Sequence, residues 1–309
     1  MLSRIAESLF WIGRYIERAD DTARLLQTHL RLLAEDTSAA EVDTCRNLLA
    51  LMSIDKIEQP TPEDLLRVLA YDRTERTSIF ASYAAARDNA RRAREVIPLE
   101  LWECVNTTWH QLQDEPFDVA GAHTFLNWTR ERSAIFTGIA RVTMVRDEGW
   151  QFLLLGRSLE QFDMTSRMVA SASITTGGSR WPAVLRGCGG HDAFLRTYGG
   201  LYSEPDAARF LVIDSRFPRS VMHGVIAATD CLLNVSRANP SAVVSSATAL
   251  RALGQLKARL EFADVEALLA DLDEEMACVQ DVSAEVTSTV ANSFFAAADT
   301  TAWITEGTR

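Results

Sequence analysis

A chain of 309 residues, 47% hydrophobic and 24% charged, has the balance of a soluble globular protein with ample core. Its net charge of −11 argues against a nucleic-acid partner gripped through phosphates, while local arginine patches can still meet a small anion. Five scattered cysteines with no CxxC pair point to reduced, mostly buried thiols in a cytosolic protein and suggest no zinc site.

Helical periodicity begins at once. Ile5, Leu9, Ile12, Ile16, Ala19, Ala23, Leu26, Leu30 and Leu33 recur at three- and four-residue steps and predict one long opening helix. Glu7 interrupts the first apolar run and Arg14, Glu17 and Arg18 follow, so the start is not a signal peptide. In "QPTPEDLL", Thr61 is the expected cap, Pro62 fits the first turn, and Glu63 and Asp64 sit at the positive dipole end. Residues 77 to 97 make an Ala- and Arg-rich helix stopped by Pro98, and 98 to 113 another.

From 118 to 175 there is no proline, which predicts two long helices with a break near Gly149. Residues 175 to 205 hold seven of the fifteen glycines and are expected to be irregular. "ANPSAVV" restarts a helix with Asn239 as cap, and a last long helix covers roughly 264 to 298. No alternating pattern is long enough to build a sheet, and no apolar stretch approaches the ~20 residues of a membrane span. The expectation is an all-α, large helical bundle forming a single domain over 1–309, located in the cytoplasm.

Two segments repeat each other. "IGRYIERADDTARLL" (12–26) and "LGRSLEQFDMTSRMV" (155–169) share six of fifteen positions: Gly13/Gly156, Arg14/Arg157, Glu17/Glu160, Asp20/Asp163, Thr22/Thr165 and Arg24/Arg167. A weaker match pairs Ser78 with Ser220 and Asp88 with Asp230. The separations are 143 and 142 residues, so the chain is expected to contain two pseudo-twofold related halves, roughly 1–145 and 146–309.

On a helix, positions 13, 17, 20 and 24 fall within an arc of about 60°, beside the apolar ridge. Arg87, Arg91 and Arg94 form a similar stripe on the 77–97 helix and could face that acidic shelf across a groove. Three readings stay open. In the first, the charges tie helices together as ion pairs, which are weak stabilisers when buried. In the second, they line a polar cleft where carboxylates and guanidinium forks hold a ligand. In the third, they hold a metal through Glu17/Asp20 and Glu160/Asp163, although no Glu-x-x-His occurs for a di-iron site and the fuller Asp-rich motif of Mg²⁺-dependent prenyl transfer is missing. Adjacent Arg18 and Arg24 favour salt bridges over metal. Cys188 and His191 in "RGCGGHD" are three residues apart in a Gly-rich stretch, weak evidence for a thiol–imidazole pair.

"LFWIGRYIERADDTARLL", its near-repeat, "SIFASYAAARDNARRAREVIPLELWECVN" and "IDSRFPRSV" together resemble the bacterial alpha-E family of helical proteins, named for a Glu-Arg motif. The resemblance places that motif at Glu17 and Arg18, a second element at Arg87, Asn89, Ala90 and Arg91, and a third at Pro218, Arg219 and Ser220. Gln161 departs from it where a second Glu-Arg needs arginine, and Asp88 shortens a glutamate. It implies a gene neighbourhood with a circularly permuted ATP-grasp protein and a transglutaminase-like protein. This chain would then be the helical partner of an ATP-grasp ligase in ATP-dependent peptide or amide-bond synthesis or modification, with ATP and Mg on the ligase and no intrinsic cofactor.

The substrate, a peptide or small carboxylate, would lie among Arg14, Glu17, Arg18, Asp20, Arg24, Arg87, Asn89, Arg91, Arg157, Glu160, Asp163, Arg167 and Arg219. The alternatives are an enzyme using Glu17 or Asp20 as acid/base with Arg anion stabilisers, and a purely structural adaptor. No metal, nucleic acid or membrane is expected.

Overall fold

The opening periodicity becomes α1 (Ser3–Glu35), a single helix that buries Ile5, Leu9, Ile12, Ile16, Ala19, Ala23 and Leu26 along one ridge. The computed structural model describes residues 1–35, 41–54, 57–115, 117–172, 181–200, 202–238 and 242–295. Helices α2 (Glu41–Leu51) and α3 (Pro62–Leu66) follow, and α3 runs on into a π-helical turn, Arg67–Tyr71. Thr61 caps α3 in a capping box: its hydroxyl accepts from Asp64 N while Asp64 accepts from Thr61 N at 3.0 Å. Ser78 caps α4 (Ile79–Arg92), which ends five residues before the position expected; turns over 93–97 lead to Pro98 and α5 (Leu99–Gln113).

The two long helices expected next are α6 (Ala122–Thr143) and α7 (Glu148–Ala170), separated at Met144–Asp147 rather than at Gly149. Asp147 sets that boundary by accepting from Trp150 N. The Gly-rich segment near 175–205 departs from the irregular expectation: where described, it carries α8 (Trp181–Gly187), α9 (His191–Tyr198) and the start of α10 (Glu204–Ala208). Its glycines punctuate short helices, with Gly199 ending α9 at a φ of 69° that a side chain would strain.

A second π-helical turn, Arg209–Ile213, precedes α11 (Val221–Ala238) and α12 (Ala242–Glu261); the expected cap Asn239 lies outside the described residues. The final helix is broken at Asp271 into α13 (Val265–Ala270) and α14 (Leu272–Val290), followed by a π-helical turn at Ala291–Phe295.

The fold is all-α, with no strand among the described residues. No helix of the described residues is long and apolar enough to cross a membrane. Helices α1 and α7 form the centre: α4 and α6 pack on α1 with α5 closing over them, and α11 and α14 pack on α7 with α12 closing over them. Helix α7 is buried on nearly every side, polar residues included. Cys45, Cys104, Cys188 and Cys231 are buried free thiols, as small apolar residues in this core.

Candidate functional site

The site starts from two glycines. At Gly13 a Cβ would strike the Leu153 carbonyl oxygen, and at Gly156 it would strike that of Phe10. Hydrogen in place of a side chain lets α1 and α7 approach backbone to backbone. One turn from that crossing, long side chains reach across to the opposite helix.

They pair reciprocally. Arg14 Nε donates to Glu160 Oε2 at 2.6 Å, and Arg157 Nε donates to Glu17 Oε2 at 2.7 Å. Arg18 adds a second donor to Glu160, with Nε 2.5 Å from Oε1 and Nη2 3.0 Å from Oε2. Gln161 stands where the matching arginine would be, and Arg219, just before α11, takes that place, with Nη1 3.0 Å from Glu17 Oε1. Each buried glutamate therefore meets two guanidiniums.

Arg219 also bridges to Asp20 at 3.2 Å and to Asp21. Farther along, Arg24–Asp20 and Arg167–Asp163 close as i, i+4 pairs, both at 2.9 Å. Thr22 and Thr165 hydroxyls donate to the carbonyls of Thr77 and Arg219, tying the segments before α4 and α11 to the central pair. Arg14 reaches Thr287 on α14, and Arg167 reaches the Leu51 carbonyl. Oxygens of Glu17, Asp20 and Asp21 lie within 4.8 Å of one another, close enough to share a cation, and here guanidiniums face them.

The basic stripe of α4 lies elsewhere. Arg87 donates to Asn106 on α5 at 2.9 Å, buried Asn89 donates to the Ala85 carbonyl, and Arg91 is exposed beside Asp88 at 3.6 Å. The cations for the acidic shelf come instead from α7 and the α11 entry. Asp21 was missed because Met164 holds the matching place in the repeat. Cys188 packs on the Met168 sulfur at 3.7 Å, and burial pushes its thiol up to about 12, while His191 turns to Asp192. The two do not form a thiol–imidazole pair.

Burial alone would raise both glutamates. Arg157 and Arg219 at Glu17, and Arg14 and Arg18 at Glu160, outweigh it and hold each carboxyl at about 2, against an ordinary 4.5. Because the folded value is depressed, the stability from each ionised carboxylate is complete above pH 4.5 and drains away as pH falls towards 2. A difference of this size corresponds to about 3 kcal/mol per group. Urea melts at fixed pH should show little carboxylate-linked change down to pH 5 and a steep fall below 4.5, with a shallower fall in Glu160→Gln.

Beside the crossing lies a cavity of about 330 Å³ between α1, α6 and α7. Arg141, Arg146 and Arg157 line it, together with Trp150, and no Asp or Glu does among the described residues. Arg146 stacks on Trp150 at 3.8 Å, and Arg157 is held from behind by Glu17.

A family model described as a predicted alpha-helical domain with a conserved ER motif, Alpha-E, matches residues 1–295. The chain belongs to the Alpha-E family. Its Glu-Arg pair, Glu17 and Arg18, joins α1 to α7 in both senses: the glutamate receives Arg157 and the arginine grips Glu160. Among similar proteins are uncharacterized ones from Mycobacterium bovis and from Mycobacterium tuberculosis strain CDC 1551, each 24% identical over 253 residues. A third, from Mycobacterium tuberculosis strain H37Rv, is 23% identical. These alignments cover 71% of this Alpha-E chain and 28% of each relative, so the chain spans less than a third of their length. No solved structure matches it.

Proposed function

We propose that this Alpha-E chain is the helical partner of an ATP-grasp ligase in ATP-dependent peptide or amide-bond synthesis or modification. It would hold a peptide or small carboxylate in the cleft between α1, α6 and α7, while ATP and Mg sit on the ligase. The observation that carries this reading is the cleft lining: three arginines and, among the described residues, no acid, in a chain of net charge −11. A cationic wall in an acidic protein favours an anion, and guanidinium forks suit carboxylates. The similar mycobacterial proteins carry the matching segment within much longer chains.

Glu17 is a positioning group in this scheme. Held at about 2 behind Arg157 and Arg219, it is a poor general base near neutral pH, but it fixes Arg157 at the cleft wall. The reading in which the charges only fasten helices draws on their mutual pairing.

Co-expression with the neighbouring ATP-grasp protein separates the two. The partner reading expects co-elution, and ligase turnover that depends on this chain. Arg141→Gln, at the exposed cleft rim, should raise KM for the acidic substrate about tenfold with no change in melting temperature. Turnover indifferent to this chain, without co-elution, would leave only the fastening role.

A further inference from the structure

A larger cavity, about 600 Å³, lies away from the crossing, between the C-terminal half of α1, the start of α3, the N-terminal half of α6 and α8. Its polar wall is an ordered chain. Arg130 Nη1 donates to Gln27 Oε1 at 2.8 Å, Gln27 Nε2 donates to Asn127 Oδ1 at 2.7 Å, and Asn127 Nδ2 meets His123 Nε2 at 3.0 Å. An amide nitrogen only donates, so His123 Nε2 is the acceptor and the whole chain is oriented from Arg130 outward.

Arg130 itself is left in surplus. Its Nε is buried with no acceptor, and it forms no ion pair among the described residues. Burial lowers its pKa, and the neighbouring guanidinium of Arg24 lowers it further, against a smaller opposing pull from Asp20. A half-buried cation set beside another cation, with no carboxylate in ion-pair contact among the described residues, is short of counter-charge. Arg186 stands exposed at the rim, Arg31 also lines the cavity, and no Asp or Glu does among the described residues. Leu30, Leu66 and Leu126 supply apolar lining.

We infer that this cavity is a second ligand site, for a small amphipathic oxyanion whose carboxylate or phosphate monoester is gripped by Arg130 and whose apolar body lies on the leucine lining. The volume is that of small-molecule sites, and a few placed polar groups in an otherwise apolar pocket are their usual make-up. A guanidinium that has no carboxylate partner of its own can take such a headgroup through its remaining terminal N–H groups. The site is separate from the α1–α6–α7 cleft and does not depend on the ligase reading.

Calorimetric titration of the full chain with phenyl phosphate and with 3-phenylpropionate tests it, with inorganic phosphate and 3-phenylpropan-1-ol as controls. At least one aromatic anion should bind, with a Kd of about 1 mM or tighter at the site that Arg130→Gln weakens, and at least about tenfold tighter there than the alcohol. Preference between the two anions tells a phosphate ester from a carboxylate. At this site Arg130→Gln should weaken binding about tenfold or more and exposed Arg186→Gln severalfold, whereas Arg141→Gln, in the other cleft, should leave this site's affinity unchanged. Should Arg130→Gln fail to fold, the contrast between Arg186→Gln and Arg141→Gln decides. The assignment is overturned if neither anion binds, if the alcohol binds equally well, or if Arg141→Gln alone abolishes binding.

Discussion

Gly156→Ala should destabilise the protein by about 3 kcal/mol, against the ordinary preference of a helix for alanine. That preference favours alanine by about 1 kcal/mol in a helix interior. At Gly156, however, the new methyl lands on the Phe10 carbonyl, a backbone atom that cannot rotate aside. Helices α1 and α7 would have to separate, which overpacks the centre and stretches Arg14–Glu160 and Arg157–Glu17 together. Gly138 in α6 is the control: nothing lies within 4 Å of a Cβ there, so Gly138→Ala should gain about 0.5–1 kcal/mol. Urea midpoints moving in opposite directions would bear out the close crossing. A gain in both variants would disprove it.

Removing one central acid should cost as much or more. Glu160→Gln keeps the volume but leaves Arg14 and Arg18 buried without a carboxylate, a loss of about 3–5 kcal/mol. Glu17→Gln should lose roughly half as much, because Asp20 and Asp21 still serve Arg219 and Arg157 is partly exposed. A triple replacement, Glu160→Leu with Arg14→Met and Arg18→Met, should recover most of the loss, since apolar residues of similar size remove charge and counter-charge together. Denaturant titration of the three variants checks the order. Equal loss for both single variants would show that Asp20 and Asp21 do not compensate at Glu17.

The long helices were legible because each carries its own signal, the ridge of α1 and the proline-free run over 118–175 among them, and the cap at Thr61 marked the short α3. So was the importance of the Gly-Arg-Glu-Asp repeat, since charges retained beside an apolar ridge need a reason to stay. Which cation meets which acid was not legible. Pairing Glu17 with Arg157, and Glu160 with Arg14 and Arg18, follows from the crossing at Gly13 and Gly156, and no local pattern encodes that register. The α4 arginines sit at helical spacing in the sequence, yet Arg87 turns towards α5 because that neighbour offers Asn106. In the Gly-rich segment, composition suggested irregular chain, whereas glycines there end short helices or, at Gly190, make room for Phe210 and Phe217. Arg130 had no repeat or motif to mark it; its significance lies in a missing counter-charge, which only three dimensions reveal.

Glu17 and Arg18 are neighbours, so their side chains leave α1 about 100° apart, and both are bonded to α7 in opposite polarity. Turning α1 about its own axis, or sliding it lengthwise, would break both attachments at once. The central pair is thus a torsion-locked strut, and any rearrangement on ligand capture must be absorbed by the surrounding helices, not by a shift at the hub.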